Sequence, residues 1–268
     1  MFLFPFDRRP RVALVRLSGA ISARPGFGGG LSLSSAAPAL DRAFGMRRVA
    51  AVFLALNSPG GSPVQSSLIA ARIRSLADEK KLPVVACVED AAASGGYWIA
   101  CAADEIVADP SSILGSIGVI SAGFGFQDAL ARYGVERRMH TAGTEKSFLD
   151  PFQAERPEDA ERLRTLLQDL HGEFRGWVSS RRGSKLKAPA EELFTGRFWP
   201  GRRAVELGLA DRLGDARGEA RRRFGPKVRI VPVGGPRRPL LQRLLPGISA
   251  EAAIAALEER AAWARLGL

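Results

Sequence analysis

Two stretches of this chain are apolar without interruption and bounded by turn residues: Val49–Leu56 (VAAVFLAL) and Pro83–Val88 (PVVACV). A strand with one wet face alternates apolar and polar residues, whereas a strand covered on both faces has no need to. Each run passes directly into a tight turn containing two glycines, and each turn opens a stretch with helical spacing. The first is Asn57-Ser58-Pro59-Gly60-Gly61-Ser62-Pro63 before Val64–Leu76. The second is Ala91-Ala92-Ala93-Ser94-Gly95-Gly96 before a helix to about Ala102. Strands that alternate with helices in this way predict an α/β layered fold rather than an all-β one.

The remaining chain fits that scheme. Arg11–Leu17 (RVALVRL) predicts a strand, Ser18–Ser32 a Gly-rich loop and Leu33–Arg47 a helix. Short strands are expected at Glu105–Ala108, Gly118–Ser121 and Val135–His140, and Pro157–Arg181 has the pattern of a long amphipathic helix. With 268 residues and 46% hydrophobic composition the chain can bury one large core. The expected organisation is one α/β domain over residues 1–235 and a tail over 236–268. In that tail Ser249 is a good N-cap for an amphipathic helix carrying Ile254, Leu257, Ala261 and Leu266. Its apolar face suits a neighbouring subunit or, with Trp263 as anchor, a membrane surface.

The formal charge is +11 and lies unevenly: residues 1–155 hold 16 Lys and Arg against 14 Asp and Glu, residues 156–268 hold 23 against 14. A basic half suits an anionic partner or is simply a solvated Arg-rich surface. The clusters Arg181–Arg182, Arg221–Arg222–Arg223 and Arg237–Arg238 lack the interleaved aromatics of a single-strand-binding platform, which argues against nucleic acid. Met1–Phe6 is apolar, too short for a signal-peptide core or a spanning helix, and is followed by Arg8, Arg9 and Arg11. No signal peptide or transmembrane helix is expected, which leaves a cytoplasmic protein or one lying on an anionic membrane surface. Cys87 and Cys101 have the setting of buried small hydrophobes, and no Cys/His cluster has metal-ligand spacing, so neither metal nor cofactor is expected.

Both glycine turns place backbone N–H groups where a strand gives way to a helix, a setting that stabilises negative charge. Ser94 with the Gly95 amide, joined by the Gly61 amide, would make a nucleophile and an oxyanion hole; each turn alone is equally a plain turn. The histidines, His140 and His171, give a Ser-His-Asp triad few candidates, although His140 stays open. Six lysines stand against 33 arginines, and Lys146 stands apart from the basic stretches, in the loop Ala142–Ser147. An arginine cannot act as a base; a desolvated lysine can. The alternative for Lys146 is an exposed loop lysine.

Taken together, the motifs resemble the signal peptide peptidase A family, Ser–Lys serine proteases with a Clp-protease/crotonase-like fold of repeated ββα units and, here, a C-terminal helical tail. The blocks are NSPGG after an apolar strand, AASGGYWIACAADEIVADPSSILGSIGV, a lysine 52 positions after the serine, and TGRFWPGRRAVELGLAD (Thr195–Asp211). The resemblance implies Ser94 as nucleophile, Lys146 as general base, the Gly61 and Gly95 amides as oxyanion hole, and Ser116 as the hydroxyl that orients the lysine. It further implies a serine endopeptidase for hydrophobic peptide segments, such as residual signal peptides or unfolded protein, in a ring-like homo-oligomer where the dyad forms within or between subunits. The alternatives are a crotonase-like acyl-CoA enzyme and a non-catalytic membrane-associated scaffold that has kept the fold.

Overall fold

The computed structural model describes residues 9–23, 30–143, 145–234, 257 and 259–268. The chain divides into two compact units, residues 1–117 with 175–268, and residues 118–174.

The first unit is built on β1 (Arg11–Ser18), α1 (Leu33–Phe44), β2 (Val49–Ser58), α2 (Pro63–Lys80), β3 (Val84–Ala93), α3 (Gly95–Ala100), β4 (Glu105–Ala108) and β5 (Ile113–Gly115). The second holds α4 (Gln127–Arg132) and the start of α5 (Pro157–Arg182). The chain then adds α6 (Ala190–Leu193), β6 (Phe198–Pro200), α7 (Gly201–Glu206), β7 (Arg212–Leu213), α8 (Ala216–Phe224) and β8 (Arg229–Val233) to the first unit.

Its sheet runs in the order β6-β5-β3-β2-β1-β8, with β4 pairing β3 and β7, and every pairing is parallel except β5 with β6. Strand β3 serves two neighbours. Val85–Val88 pair with β4, and Ala91–Ala93 pair with β5. The two apolar runs are central strands whose side chains from Ala51 to Leu56 and Val84 to Val88 are buried, as the absence of alternation required. Phe53, Leu54, Leu56, Ile69, Ile73, Ile99 and Ile106 are fully inside. Each such side chain contributes about 1.5–3 kcal/mol by leaving water. Tyr97 is buried among them and donates its hydroxyl to the Leu209 carbonyl at 2.8 Å; burial holds its phenol well above the ordinary range.

Helix starts follow capping chemistry. Ser32 and Ser35 form a capping box on α1, Ser62 caps α2 with Pro63 in the first turn, and Asp215 caps α8. Helix α1 stops at Phe44, short of Arg47, because Gly45 closes it; α2 runs past Leu76 to Lys80, where Lys81 in the left-handed conformation ends it. The strands expected at Gly118–Ser121 and Val135–His140 are not formed. Ile120 and Val135 are exposed, and the Val135 N–H turns back to the Leu130 carbonyl at 2.9 Å to close α4. A β-branched segment without a partner strand cannot satisfy its backbone as a strand, and no described residue of 118–174 is in one. The loop after β1 contains two single bridges, Ile21 to Leu31 and Ile21 to Gly61.

Most of the expected tail, including Ser249 and Ile254, lies outside the described residues. Glu259 accepts a hydrogen bond from the Ala20 N–H at 3.3 Å. No helix among the described residues is long and apolar enough to cross a membrane.

Candidate active site

Strand β3 ends at Ala93, and Ser94 makes the turn into α3 with φ 51° and ψ −121°. A non-glycine residue there costs on the order of 1–3 kcal/mol and persists only where its surroundings impose it. Two backbone bonds impose it: the Ser94 N–H donates to the Gly115 carbonyl at 2.8 Å, and its carbonyl accepts from the Trp98 N–H at 3.0 Å. Ser94 occupies the N-cap position but its hydroxyl makes no cap bond, so the helix does not consume it. A half-buried serine presented on a strand-to-helix turn has the geometry of a nucleophile elbow.

The second glycine turn is pressed against the first. Ser58 of β2 pairs with Ala92 of β3. A Cβ on Gly60 would lie 2.7 Å from Ser94 Cβ and 2.9 Å from the Gly95 nitrogen. A Cβ on Gly95 would lie 2.3 Å from Ser66 Oγ and 3.4 Å from the Gly61 nitrogen. Only residues without side chains allow this approach. Gly61 has φ 140°, with space for a Cβ filled by the Ile21 carbonyl at 2.1 Å. The flanking residues are tied down: Ile21 N–H to Gly60 O at 2.8 Å, Ser62 N–H to Ile21 O at 2.8 Å, and the buried Ser58 hydroxyl to Gly19 O at 2.8 Å. Among the described residues, nothing accepts a hydrogen bond from the Gly61 or Gly95 amide. Two unused N–H groups on adjoining turns beside a serine are what an oxyanion requires.

Ser116 follows β5, whose Gly115 pairs with Ala93, so it stands next in register beside Ser94. It too has positive φ, 53°, and its N–H donates to the Arg197 carbonyl at 2.6 Å. The first unit therefore brings together Ser94, Gly95, Gly61 and Ser116 at the carboxyl ends of its parallel strands. Ile21, Ser58 and Ser66 complete the frame. Ser58 belongs to the NSPGG turn, but nothing in the sequence marked Ile21 or Ser66, because their role is to occupy space beside glycines far away in the chain.

Lys146 lies in the second unit, exposed, in a loop held on both sides. Its N–H reaches the Gly143 carbonyl at 3.3 Å. Its neighbour Glu145 pairs with Arg162 of α5 at 2.8 Å, and the same guanidinium lies 5.1 Å from the centre of the Phe148 ring. The Leu149 N–H donates to the buried Asp159 carboxylate at 3.3 Å. The Arg156 hydrogen bonds hold that carboxyl below its usual range. His140 is also in the second unit and exposed; His171 is half-buried on α5. An open cavity of about 580 Å³ in the second unit, lined by Leu130, Val135, Arg137 and Phe152 among others, contains none of the five predicted residues.

Cys87 and Cys101 are buried free thiols that burial pushes up to about 12, which makes them inert rather than nucleophilic. Among the described residues no group of three or more His, Cys, Asp or Glu could hold a metal ion.

Residues 76–223 match the family described as peptidase family S49. The chain is 50% identical over 277 residues to the Na(+)/H(+) antiporter NhaA of Brucella abortus, covering 96% of this chain but only 37% of that protein. It is 31% identical over 255 residues to slr0021 of Synechocystis sp., a protease by name, covering 92% of this chain and 88% of that one. Among solved structures, a mutant of the 1510-N membrane-bound stomatin-specific protease in complex with a substrate peptide superposes with a TM-score of 0.52 at 17% identity, over 93% of this chain and 99% of that one. That likeness confirms the α/β Clp-protease/crotonase-like fold. With the matched segment running from α2 through the serine turn to α8, the chain belongs to peptidase family S49.

Proposed function

We infer that the protein is a serine endopeptidase with Ser94 as nucleophile and Lys146 as general base. The observation that carries this reading is the strained Ser94, its hydroxyl unused by the helix, beside the amides of Gly61 and Gly95, which no described residue accepts from. In the reaction, neutral Lys146 takes the Ser94 proton as Oγ bonds to the peptide carbonyl carbon, and the two amides bind the resulting oxyanion. The C–N bond then breaks as Lys146 returns the proton to the leaving amine, and water hydrolyses the acyl-enzyme by the same route. Ser116 would orient the lysine.

A lysine in water titrates near 10.4, so one acting at neutral pH needs about 4 kcal/mol of bias toward its neutral form, which desolvation supplies. Lys146 is exposed in the single chain. Bound substrate or a neighbouring subunit would supply that covering, in keeping with a ring-like homo-oligomer in which the dyad forms within or between subunits. Hydrophobic peptide segments, such as residual signal peptides or unfolded protein, are the substrates proposed; residues 1–235 form the protease domain and 236–268 a tail. The antiporter name belongs to proteins of which this chain matches little more than a third, and no observation on this chain supports transport.

The test is hydrolysis of a fluorogenic hydrophobic peptide by wild type, Ser94→Ala, Lys146→Ala and Lys146→Arg. All three variants are expected to be inactive while folded, with wild-type Ser94 labelled by an acylating serine reagent. An active Lys146→Arg enzyme would sink the assignment of the base, since arginine does not deprotonate. A folded wild type that neither cleaves nor acylates would point instead to the acyl-CoA enzyme or the scaffold.

A further inference from the structure

The backbone of Gly19–Ser22 lies against Gly61, and each of its N–H groups can be traced. Gly19 donates to the Asn57 carbonyl at 2.9 Å, Ile21 to Gly60 at 2.8 Å and Ser22 to Leu31 at 3.0 Å. Of the four, the Ala20 N–H alone goes to a side chain. It donates to the Glu259 carboxylate at 3.3 Å, across 239 positions of sequence. The same carboxylate oxygen would lie 3.3 Å from a Cβ on Gly19, so it is seated against two consecutive residues of the loop.

A trans peptide unit is planar, so its C=O and N–H point in opposite directions and turning one turns the other. The Gly61 N–H shares its plane with the Gly60 carbonyl, which accepts from Ile21. The Ile21 N–H shares its plane with the Ala20 carbonyl, which accepts from the Leu31 N–H at 2.9 Å. The Ala20 N–H shares its plane with the Gly19 carbonyl, which accepts from the Ser58 hydroxyl at 2.8 Å. Glu259 thus holds the last of three linked planes. That plane starts at Gly19, whose φ of 100° marks the most permissive point of the loop, where an outside restraint has most to fix.

The restraint comes from the end of the chain, within the first unit. Residues 259–264 are helical. The half-buried residues there are Glu259, Ala262, Trp263 and Leu266, at the i, i+3, i+4, i+7 spacing of one helix face, while Arg260 and Arg265 are exposed. The covered face is the one that carries Glu259.

We propose that Glu259 is a positioning residue for the oxyanion hole: by accepting from the Ala20 N–H, the C-terminal helix fixes the peptide planes that aim the Gly61 amide. The catalytic consequence rests on the peptidase reading; the contact itself does not. A donor serves an oxyanion best when its direction is set before the charge develops. A carboxylate is suited to that task, because a hydrogen bond to an ionised acceptor is roughly twice as strong as a neutral one. A helix docked elsewhere, on a neighbouring subunit or a membrane, would leave the half-buried Ala20 N–H with only water to donate to.

The experiment pairs hydrogen-exchange mass spectrometry with steady-state kinetics on the full chain, for wild type, Glu259→Ala, Glu259→Gln and Arg260→Ala. In Glu259→Ala the amides of residues 19–22 are expected to exchange about tenfold faster, while β2 and β3 keep their protection. Its kcat on a fluorogenic peptide is expected to fall on the order of 10–100-fold at unaltered KM. Glu259→Gln keeps an acceptor oxygen and is expected to recover kcat to within about threefold of wild type. Arg260→Ala, on the exposed side of the helix, should match wild type in both measurements. The proposal falls if Glu259→Ala exchanges like wild type at 19–22, if it exchanges faster yet keeps its kcat, if β2 and β3 lose protection equally, or if Glu259→Gln is as slow as Glu259→Ala. A wild type that cleaves nothing sinks the peptidase reading, and the exchange at 19–22 then still decides whether Glu259 holds the loop.

Discussion

The two edges of the same sheet are built on opposite principles. At the edge that carries Ser94 the glycines leave no room for side chains: a Cβ added at Gly60, Gly61, Gly95 or Gly96 would lie 2.1–2.7 Å from its nearest neighbour, and no charged residue stands in 58–63 or 93–98. At the opposite edge stand exposed cations such as Arg47, Lys81 and Lys227, with Asp78 and Glu79 exposed among them and Glu219 of α8 buried. One edge is specified by shape and tolerates almost no change of volume; the other is specified by net charge and tolerates many changes of residue. A parallel sheet makes this division available, because all strand starts fall on one side and all strand ends on the other.

Substitution at the shape-defined edge should have the largest effect. Gly61→Ala keeps the amide but is expected to push it out of place, lowering peptide cleavage by up to about 10²–10³-fold, the effect of a lost oxyanion donor. The new methyl would collide with the Ile21 carbonyl, and its φ of 140° disfavours any side chain. Cleavage rate and urea midpoint measured together separate the two effects. A Gly61→Ala enzyme with wild-type activity would show that shape does not define this edge.

Beneath the charge-defined edge the prediction concerns pH. Glu219 of α8 is buried and bonded to Arg222, Arg223 and Arg212; the Arg222 hydrogen bond is the main cause that brings its carboxyl down to about 2, against burial. As pH falls below about 4.5 the unfolded chain takes up a proton at this site while the folded one does not until about 2, so stability drops across that window. The loss is about 3 kcal/mol, and it should appear as a falling urea midpoint from pH 5 downward. Glu219→Gln should be destabilised by a similar amount at pH 7 and should show a flatter acid limb. An unchanged acid limb would mean that the cations of this edge do not depend on the carboxylate below them.

A smaller effect tests the packing of the serine turn against α2. Gly95→Ala should cost about 1–3 kcal/mol through overpacking against Ser66 Oγ. Ser66→Ala alone should cost about 1 kcal/mol, for the bond from its hydroxyl to the Ser62 carbonyl. The double variant should be more stable than the sum predicts by about 1 kcal/mol or more, because the atom that blocks the new methyl has gone. Strict additivity would show that the serine turn and α2 do not press on each other at this point.

How far these features were legible in the sequence depends on their range. Burial of Val49–Leu56 and Pro83–Val88 follows from composition alone, and the turns after them, with Ser94, Gly61 and Gly95, follow from local chain chemistry. The strand expected at Val135–His140 failed because its residues favour extended backbone but meet no partner. The short strands β5 to β8, two to five residues each, were invisible for the converse reason: partners make them, not propensity. Ser66 and Ile21 belong to the same class, because their function is to fill the space beside glycines of distant turns. The basic edge was also out of reach. Arg9, Arg47, Lys81 and Lys227 are scattered over more than 200 residues and become one surface only through the register of the sheet.

The smallest expected effect is the one that separates the edges most cleanly. Arg47→Gln, Lys81→Gln and Lys227→Gln each replace an exposed cation by a neutral side chain that keeps much of its length. Exposed positions away from caps, cores and networks shift stability by no more than about 0.5 kcal/mol. Lys81 ends α2 in the left-handed conformation, with its N–H bound to the Ala77 carbonyl, and a glutamine leaves that backbone bond intact. Each variant should therefore unfold at the wild-type urea midpoint within error and cleave a soluble peptide at the wild-type rate. If any of the three lowered cleavage of a soluble peptide tenfold, charge at one edge would be acting on chemistry at the other, and the two would have to be treated as a single site.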